Sequence, residues 1–207
     1  MNNSYFITGI GTDVGKTIAA AIITESLKAD YWKPVQAGDL DKSDSKKAQK
    51  LISNEESFFY PEGFKLKTPM SPHAAAEIDG VELSSKKIKR PKTSKDLVIE
   101  GAGGLLVPLN SKETILDLIQ PKDKVIIISR HYLGSINHTL LTIEVLKNRG
   151  FSIAGIIFNG DENKSTEQVI LEMTGVNFIG RIENEPYFDR NVIKEYADIF
   201  REKLTAL

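Results

Sequence analysis

Short runs of apolar residues recur along the chain, and most of them end at a glycine or a polar residue. A short continuous apolar run bounded by turn residues is typical of a strand that is buried on both faces of a sheet. We interpret six segments as strands. Five cover residues 5–7, 97–99, 125–129, 153–159 and 178–182, and the sixth, 31–38, is a strand that ends in a loop.

Between these runs, apolar residues recur at helical spacing. Near the N-terminus they are Ile18, Ala19, Ile22, Ile23 and Leu27, and in the C-terminal tail they are Val192, Ile193, Tyr196, Ile199, Phe200 and Leu204. Strands that alternate with helices predict an α/β fold, a doubly wound and mostly parallel sheet with helices on both faces. No linker, repeat or low-complexity tract divides the chain, so we expect one domain over residues 1–207.

A glycine-rich turn joins the first strand to the first helix. Gly9, Gly11 and Gly15 lie in this turn, and Lys16 and Thr17 begin the helix. Strand, glycine-rich turn, Gly-Lys-Thr and helix together form the phosphate-binding loop (P-loop) arrangement. Backbone N–H groups and the helix N-terminus would face a polyphosphate, with the lysine at its β/γ oxygens and the threonine hydroxyl on Mg²⁺.

This loop departs from the common spacing G-x-x-x-x-G-K-[ST]. That spacing places a glycine at position 10, which is Ile10, whereas the glycine here is Gly9. The loop is therefore one residue longer and carries the acidic Asp13, which would leave room for a second reactant beside the γ-phosphate. An ordinary strand-to-helix turn is the alternative, and the strand before it and the helix after it argue against that reading.

Polar residues stand at the ends of several predicted strands, where open parallel sheets place their ligands. Lys33 stands at the C-terminal end of the second strand, and its alternative role is that of a solvated surface lysine. Glu100 ends the strand at 97–99 before a glycine turn, where a carboxylate could hold Mg²⁺. Asp44 precedes a helical segment and could be either a helix N-cap or a metal ligand. Asn159 could read a purine edge, and the helix start at 134–135 could bind an anion.

Composition excludes several other classes of function. The net charge is −1, and the basic segment 84–95 lacks interleaved aromatic residues, so we expect a solvated helix end with a linker there and no nucleic-acid binding. The absence of cysteine excludes disulfides and thiolate chemistry. No apolar stretch has membrane-spanning length and no targeting segment is evident, so we expect a cytoplasmic protein without membrane contact. His73 alone is more often structural than catalytic.

Several motifs, in order and over nearly the whole chain, resemble those of dethiobiotin synthetases. They are Thr8-Gly-Ile-Gly-Thr-Asp-Val-Gly-Lys-Thr17, Trp32-Lys-Pro-Val35, Ser71-Pro-His73, Glu100-Gly-Ala-Gly-Gly104, Leu133-Gly-Ser-Ile-Asn-His138 and Asn159. The resemblance implies a P-loop NTPase fold and a reaction of 7,8-diaminononanoate, CO2 and ATP. It also implies a homodimer with the site at the subunit interface.

The resemblance further implies a role for each matching residue. Lys16, Lys33 and Thr12 would be catalytic, and Thr17, Asp44 and Glu100 would hold Mg²⁺. The residues implied to bind ATP are Asp13, Val14, Gly15, Lys16, Thr17, Ile18 and Asn159. Those implied to bind the diamine are Thr12, Lys33, Ala37, Gly103, Gly104 and, from the neighbouring subunit, Gly134, Ser135, Ile136 and Asn137. The chain departs from the family pattern at Ala37, Tyr132 and Glu183.

Two other classes of protein share the P-loop. Partitioning-type switch ATPases act by nucleotide-dependent association and usually carry a lysine five positions before the loop lysine, where this chain has Gly11. Amidating ligases related to cobyrinate synthesis would need a glutaminase cysteine, which is absent. The sequence therefore favours the synthetase.

Overall fold

A computed structural model describes residues 2–207. The strands are β1 (Ser4–Gly9), β2 (Asp30–Trp32), β3 (Val35–Ala37), β4 (Phe64–Leu66), β5 (Leu97–Gly104), β6 (Lys124–Arg130), β7 (Ser152–Asn159) and β8 (Phe178–Ile182). Six of them form one sheet in the order β2-β5-β1-β6-β7-β8, and every neighbouring pair is parallel. The short strands β3 and β4 form a separate parallel pair.

Across the described residues, 2–207, six α-helices connect or follow the strands. They are α1 (Lys16–Leu27), α2 (Asp44–Leu51), α3 (Pro72–Ile78), α4 (Ser135–Asn148), α5 (Lys164–Thr174) and α6 (Arg190–Thr205). Helix α1 packs against α2 and α6, whereas α4 packs against α5. Short 3-10 helices lie at Leu40–Lys42, Ser85–Lys87 and Ile115–Leu118. Within residues 2–207, no helix combines the length and the apolar character needed to cross a bilayer.

The parallel sheet explains the apolar pattern and places the site. Central strand residues such as Phe6, Val98 and Ile127 are completely buried, because helices cover the sheet and the strands need apolar residues on both sides. The carboxyl ends of β1, β5, β6 and β7 lie at one edge of the sheet, since all of these strands run in the same direction. The predicted α/β class and the parallel sheet are thus confirmed.

Two strand predictions need correction. The segment 31–38 is not one strand followed by a loop, because β2 pairs with β5 and a second strand, β3, pairs with β4, with Lys33 and Pro34 between them. Proline has no N–H to donate, which suits a break in a strand. Glu100 does not end its strand either, because β5 continues to Gly104, which pairs with Gly9 of β1.

The helix predictions also need correction in places. Strand β4 and helix α5 were not predicted. The segment 84–95 is mostly loop, with only Ser85–Lys87 in a 3-10 helix. In α6 the buried face contains Ile193, Ala197 and Phe200, whereas Ile199 is 68% exposed. Position 197 lies four residues after position 193, one helical turn along the same face. The small Ala197 therefore belongs to the buried apolar face, in place of the larger Ile199 that the sequence pattern assigned to it.

Candidate functional site

The loop between β1 and α1 is held in an unusual backbone conformation. Asp13 and Gly15 both have positive φ angles, of 56° and 96°. A side chain at Gly15 would collide with Asn159, whose amide nitrogen donates to the carbonyl of Val14 at 2.9 Å. The end of β7 therefore holds the loop in place. The sequence predicted that the Asn159 amide reads a purine, but its N–H group donates to the loop backbone here.

Lys16 curls back over this loop. Its Nζ donates to the carbonyl of Gly11 at 2.8 Å, and the side chain is 8% exposed. Burial lowers the pKa of Lys16 from 10.5 to about 8, because a desolvated ammonium is less favourable than a hydrated one. A polyphosphate in the loop would supply the negative charge that this cation lacks.

A buried cluster surrounds Glu100 at the neighbouring strand end. Oε1 of Glu100 accepts from the hydroxyl of Thr17 at 2.8 Å and from Lys33 Nζ at 2.9 Å. Oε2 of the same carboxylate accepts from the Tyr31 hydroxyl at 2.7 Å. Lys33 is 3% exposed and its Nζ also lies 2.8 Å from Oδ2 of Asp44. The structure thus brings together the P-loop threonine, both predicted metal carboxylates and Lys33, and the surface-lysine alternative for Lys33 is wrong.

The charges in this cluster shift one another's pKa. Burial alone would lower the pKa of Lys33, but the carboxylates of Glu100 and Asp44 outweigh it and raise that pKa. Burial would raise the pKa of Asp44, but the Lys33 ammonium outweighs it and lowers that pKa. Burial, together with the negative charge of Glu100, raises the pKa of Tyr31 well above its usual value. The tyrosine therefore stays protonated and donates its hydrogen bond.

Asp44 is not the N-cap of α2. Ser43 occupies the cap position, and its side chain accepts from the backbone N–H of Lys46. Asp44 is the first residue of the helix, its N–H is held by the side-chain oxygen of Gln36 at 3.1 Å, and its carboxylate faces Lys33. Of the two alternatives left open by the sequence, the cap is therefore wrong.

A cleft of about 1040 Å³ opens over the P-loop and this cluster. Of the predicted site residues, its lining contains Thr12, Asp13, Gly15, Lys16, Thr17, Ile18, Lys33, Ala37, Asp44, Glu100 and Gly103. The buried Gln36 and the loop residues Met70 and Phe188 line it too, although the sequence pattern singled out none of these. The sequence offers one indication of Gln36, which is that a polar residue stands within an otherwise apolar segment.

The predicted anion site at the start of α4 does not line this cleft. Gly134 caps the helix with φ 99°, and Ser135 is buried, with its N–H donated to the carbonyl of Tyr132. Anion binding there would fall to the N–H groups of Ile136 and Asn137. The hydroxyl of Tyr132, one of the departures from the family pattern, lies 2.8 Å from Nδ1 of His138.

The oxygen atoms near Glu100 fit a hard divalent cation. Residues 2–207 contain no group of three or more acidic, histidine or cysteine side chains arranged as a complete metal cage. Thr17, Asp44 and Glu100 offer two carboxylates and a hydroxyl, and Mg²⁺ commonly completes such partial sets with phosphate oxygens and water. The Lys33 ammonium already lies between the two carboxylates, so this point of the structure accommodates positive charge.

Known proteins resemble this chain at the levels of both sequence and fold. A sequence model described as an AAA domain matches residues 3–192. The ATP-dependent dethiobiotin synthetase BioD of Christiangramia forsetii is 65% identical over 99% of each chain. That of Cytophaga hutchinsonii is 48% identical over 93% of this chain and 94% of its own.

Solved structures of more distant proteins share the fold. The septum site-determining protein MinD of Pyrococcus horikoshii, complexed with Mg-ADP, superposes with a TM-score of 0.61 at 15% identity, over 100% of this chain and 96% of its own. A putative plasmid partition protein of Borrelia burgdorferi gives 0.59 at 14% identity, over 100% of both chains. At such identity the likeness concerns the fold alone. The sequence matches decide the family, and the chain belongs to the dethiobiotin synthetases.

Proposed function

We propose that this protein is an ATP-dependent dethiobiotin synthetase. One amine of 7,8-diaminononanoate takes up CO2 as a carbamate, a carbamate oxygen attacks the γ-phosphate of ATP, and the second amine closes the ureido ring as phosphate leaves. The products are dethiobiotin, ADP and phosphate. The observation that carries this proposal is the meeting of the P-loop, Lys33 and Glu100 in one cleft large enough for a nucleotide and a second reactant.

The phosphate end of the cleft suits the attack of one anion on another. Carbamate and γ-phosphate repel each other, so cations must surround the point where they meet. Lys16 supplies one at the loop, and Lys33 supplies another beside Glu100. Thr17, Asp44 and Glu100 would hold Mg²⁺, which adds positive charge at the phosphate oxygens when bound. The backbone from Asp13 to Ile18, with Asn159 bracing it, would bind the nucleotide.

The diamine would lie on the opposite side of the lengthened loop. Thr12, Ala37 and Gly103 line the cleft, and Thr12 is exposed, whereas the predicted Gly104 is not in the lining. Gly103 has a positive φ of 66°, and its ideal Cβ position would lie 2.8 Å from Cγ2 of Val107, so a side chain at this position would collide with its neighbour. These contacts would position the reacting amine near the γ-phosphate.

The far end of the substrate would reach a second subunit. An amine nitrogen and a carboxylate oxygen of the extended substrate are roughly 10 Å apart, at about eight bonds and ~1.25 Å of projected length per bond. The helix start at 134–137 does not line the cleft of its own chain, and no side chain caps it. Exposed apolar residues surround it: Leu133 is 104% exposed and Leu141 is 54% exposed. Such a patch supports a homodimer that presents this helix start to the partner's cleft.

The competing reading is a partitioning-type ATPase. The fold likeness to MinD and to partition proteins favours neither reading, since it extends to proteins of only 11–16% identity. The P-loop has Gly11 at the position where such proteins usually carry a lysine. Sequence identity to named synthetases over nearly the whole chain favours the enzyme.

ATP turnover tests the proposal. We expect hydrolysis by the purified protein to require both 7,8-diaminononanoate and bicarbonate, with one ureido product per ADP detected by mass spectrometry. A Lys16→Ala variant should lose at least about a hundredfold in kcat, whereas Lys46→Ala, an exposed lysine outside the cleft, should not. Hydrolysis that ignores the diamine but rises with DNA or lipid vesicles would instead identify a switch ATPase.

A further inference from the structure

Tyr31 contacts Glu100, one of the predicted metal ligands. Its ring is completely buried, and its hydroxyl donates to Oε2 of Glu100 at 2.7 Å. The sequence pattern places Tyr31 inside an apolar strand run, where a tyrosine looks like an ordinary core residue. Tyr31 does not line the cleft, and its hydroxyl contacts the oxygen of Glu100 that accepts no hydrogen bond from Thr17 or Lys33.

The backbone and ring of Tyr31 are themselves held in place. The N–H of Tyr31 donates to the carbonyl of Phe58, and its carbonyl accepts from the N–H of Tyr60, both at 2.9 Å. Its ring stacks on Phe59 with centroids 4.8 Å apart. The segment 58–60 thus clamps the tyrosine, so its hydroxyl has little freedom to leave Glu100.

A carboxylate end group rotates easily, because the last torsion of a glutamate is broad and nearly two-fold. With one oxygen fixed by a buried donor, the other oxygen alone can face Thr17. We propose that Tyr31 is a positioning residue that fixes the rotamer of Glu100 and so orients Oε1 toward the divalent cation of the nucleotide site. This inference rests on the proposed function, since it takes Glu100 to be a ligand of that cation.

Some residues do not bind a metal but orient its ligands through hydrogen bonds. Removal of such a residue commonly lowers metal affinity by about 10- to 100-fold. Tyr31→Phe removes only the hydroxyl. A positioning role predicts that Mg²⁺ will strengthen ADP binding less in this variant than in the wild type. ADP binding without Mg²⁺ should not change, because the P-loop is intact.

The experiment measures the dissociation constant of ADP with excess Mg²⁺ and again with a chelator. Calorimetry measures both constants, and the fluorescence of Trp32, the only tryptophan and a buried residue next to Lys33 in the sequence, is a second readout. The ratio of the two constants is the enhancement by the metal, a coupling between two ligands. We expect Tyr31→Phe to reduce this ratio by about tenfold or more. Tyr5→Phe changes another buried tyrosine, on strand β1 of the same sheet, and should leave the ratio unchanged.

One further variant, Glu100→Gln, separates the possible failures. Glu100→Gln should remove most of the enhancement; if it does not, the proposed metal ligands are wrong. If Glu100→Gln removes the enhancement and Tyr31→Phe keeps it, the positioning inference is overturned while the ligand set stands. Equal weakening of ADP binding with and without Mg²⁺ in Tyr31→Phe would show a merely structural role and also overturn it.

If Tyr31→Phe does not fold, a double variant still tests whether Tyr31 acts through Glu100. The double variant Tyr31→Phe/Glu100→Gln also removes the carboxylate charge to which the Tyr31 hydroxyl donates its hydrogen bond. Recovery of folding in the double variant would support a direct coupling of the two residues. Misfolding of both variants would overturn it, because the hydroxyl would then be needed for something other than Glu100.

Discussion

The Lys33 ammonium lies 2.8 Å from Oδ2 of Asp44 and 2.9 Å from Oε1 of Glu100. These carboxylates come from the first turn of α2 and from β5, so one buried cation joins two elements across the cleft. Removal of one member of a buried ion pair leaves uncompensated charge in the interior and commonly costs about 3–5 kcal/mol. Lys33 therefore stabilises the nucleotide-free site as well as serving the proposed chemistry.

We expect Lys33→Met to lower the free energy of unfolding by about 3 kcal/mol, the low end of that range because Asp44 is partly exposed. Urea unfolding without metal measures this. Lys47→Met is the matched control, because Lys47 lies 3.5 Å from the same Asp44 but is 48% exposed. An exposed pair contributes less than about 1 kcal/mol. Equal losses in the two variants would contradict a special role for the buried lysine.

Lys16 should make the stability of the nucleotide-free protein depend on alkaline pH. Burial lowers its pKa from 10.5 to about 8, which corresponds to roughly 3 kcal/mol of unfavourable burial while it is charged. Between these pH values the unfolded chain keeps a proton that the folded chain has released, so stability rises with pH through this window.

Lys16→Met removes this contribution. Relative to the wild type, the variant should gain most stability at pH 7, and the gain should shrink as pH rises above about 8. Chemical unfolding of both proteins at several pH values measures the difference, in which titrations common to both cancel. A gain that does not vary with pH would show that Lys16 is not desolvated.

Asp44→Asn should raise the Mg²⁺ concentration needed for half-maximal activity. It should also destabilise the metal-free protein, because Lys33 loses a partner. Ser43→Ala is the matched control: it removes the cap of the same helix, which costs about 0.5–2 kcal/mol, without touching the cleft. An unchanged Mg²⁺ requirement in Asp44→Asn would remove Asp44 from the proposed ligand set.

A mixture of two inactive variants should recover activity if the site is shared between subunits. Lys16→Ala damages the phosphate end, and Asn137→Glu places a negative charge at the exposed start of α4, where the substrate carboxylate would bind. Ser135 is unsuitable for this purpose because it is buried. After subunit exchange, each heterodimer would contain one intact site.

Asn148→Glu is the control for that experiment, because it adds the same charge at the other end of α4. It should be active by itself. A mixture of Lys16→Ala and Asn137→Glu that stays inactive, while exchange of subunits is verified by mass spectrometry, would show that each site is built within one chain.

The sequence alone determined the parts of this protein that depend on neighbours along the chain. The P-loop is one contiguous stretch, so glycine spacing, Lys16 and Thr17 identify it without knowledge of the fold. The buried strands are visible as apolar runs because both faces of the sheet are covered. From strand direction one could also expect Lys33 and Glu100 at the same edge of the sheet, and the structure places them there.

Only the tertiary structure decided how these parts meet. Tyr31 and Glu100 are 69 positions apart, and no local pattern distinguishes a core tyrosine from one that holds a carboxylate. Asp44 could be read as a cap or a ligand until Lys33 was seen against it. The break at Pro34 separates strands of two different sheets, which hydrophobic periodicity cannot show. The physical reason is common to all three: periodicity reports which side of an element is buried, whereas the contacts made there depend on elements distant in sequence.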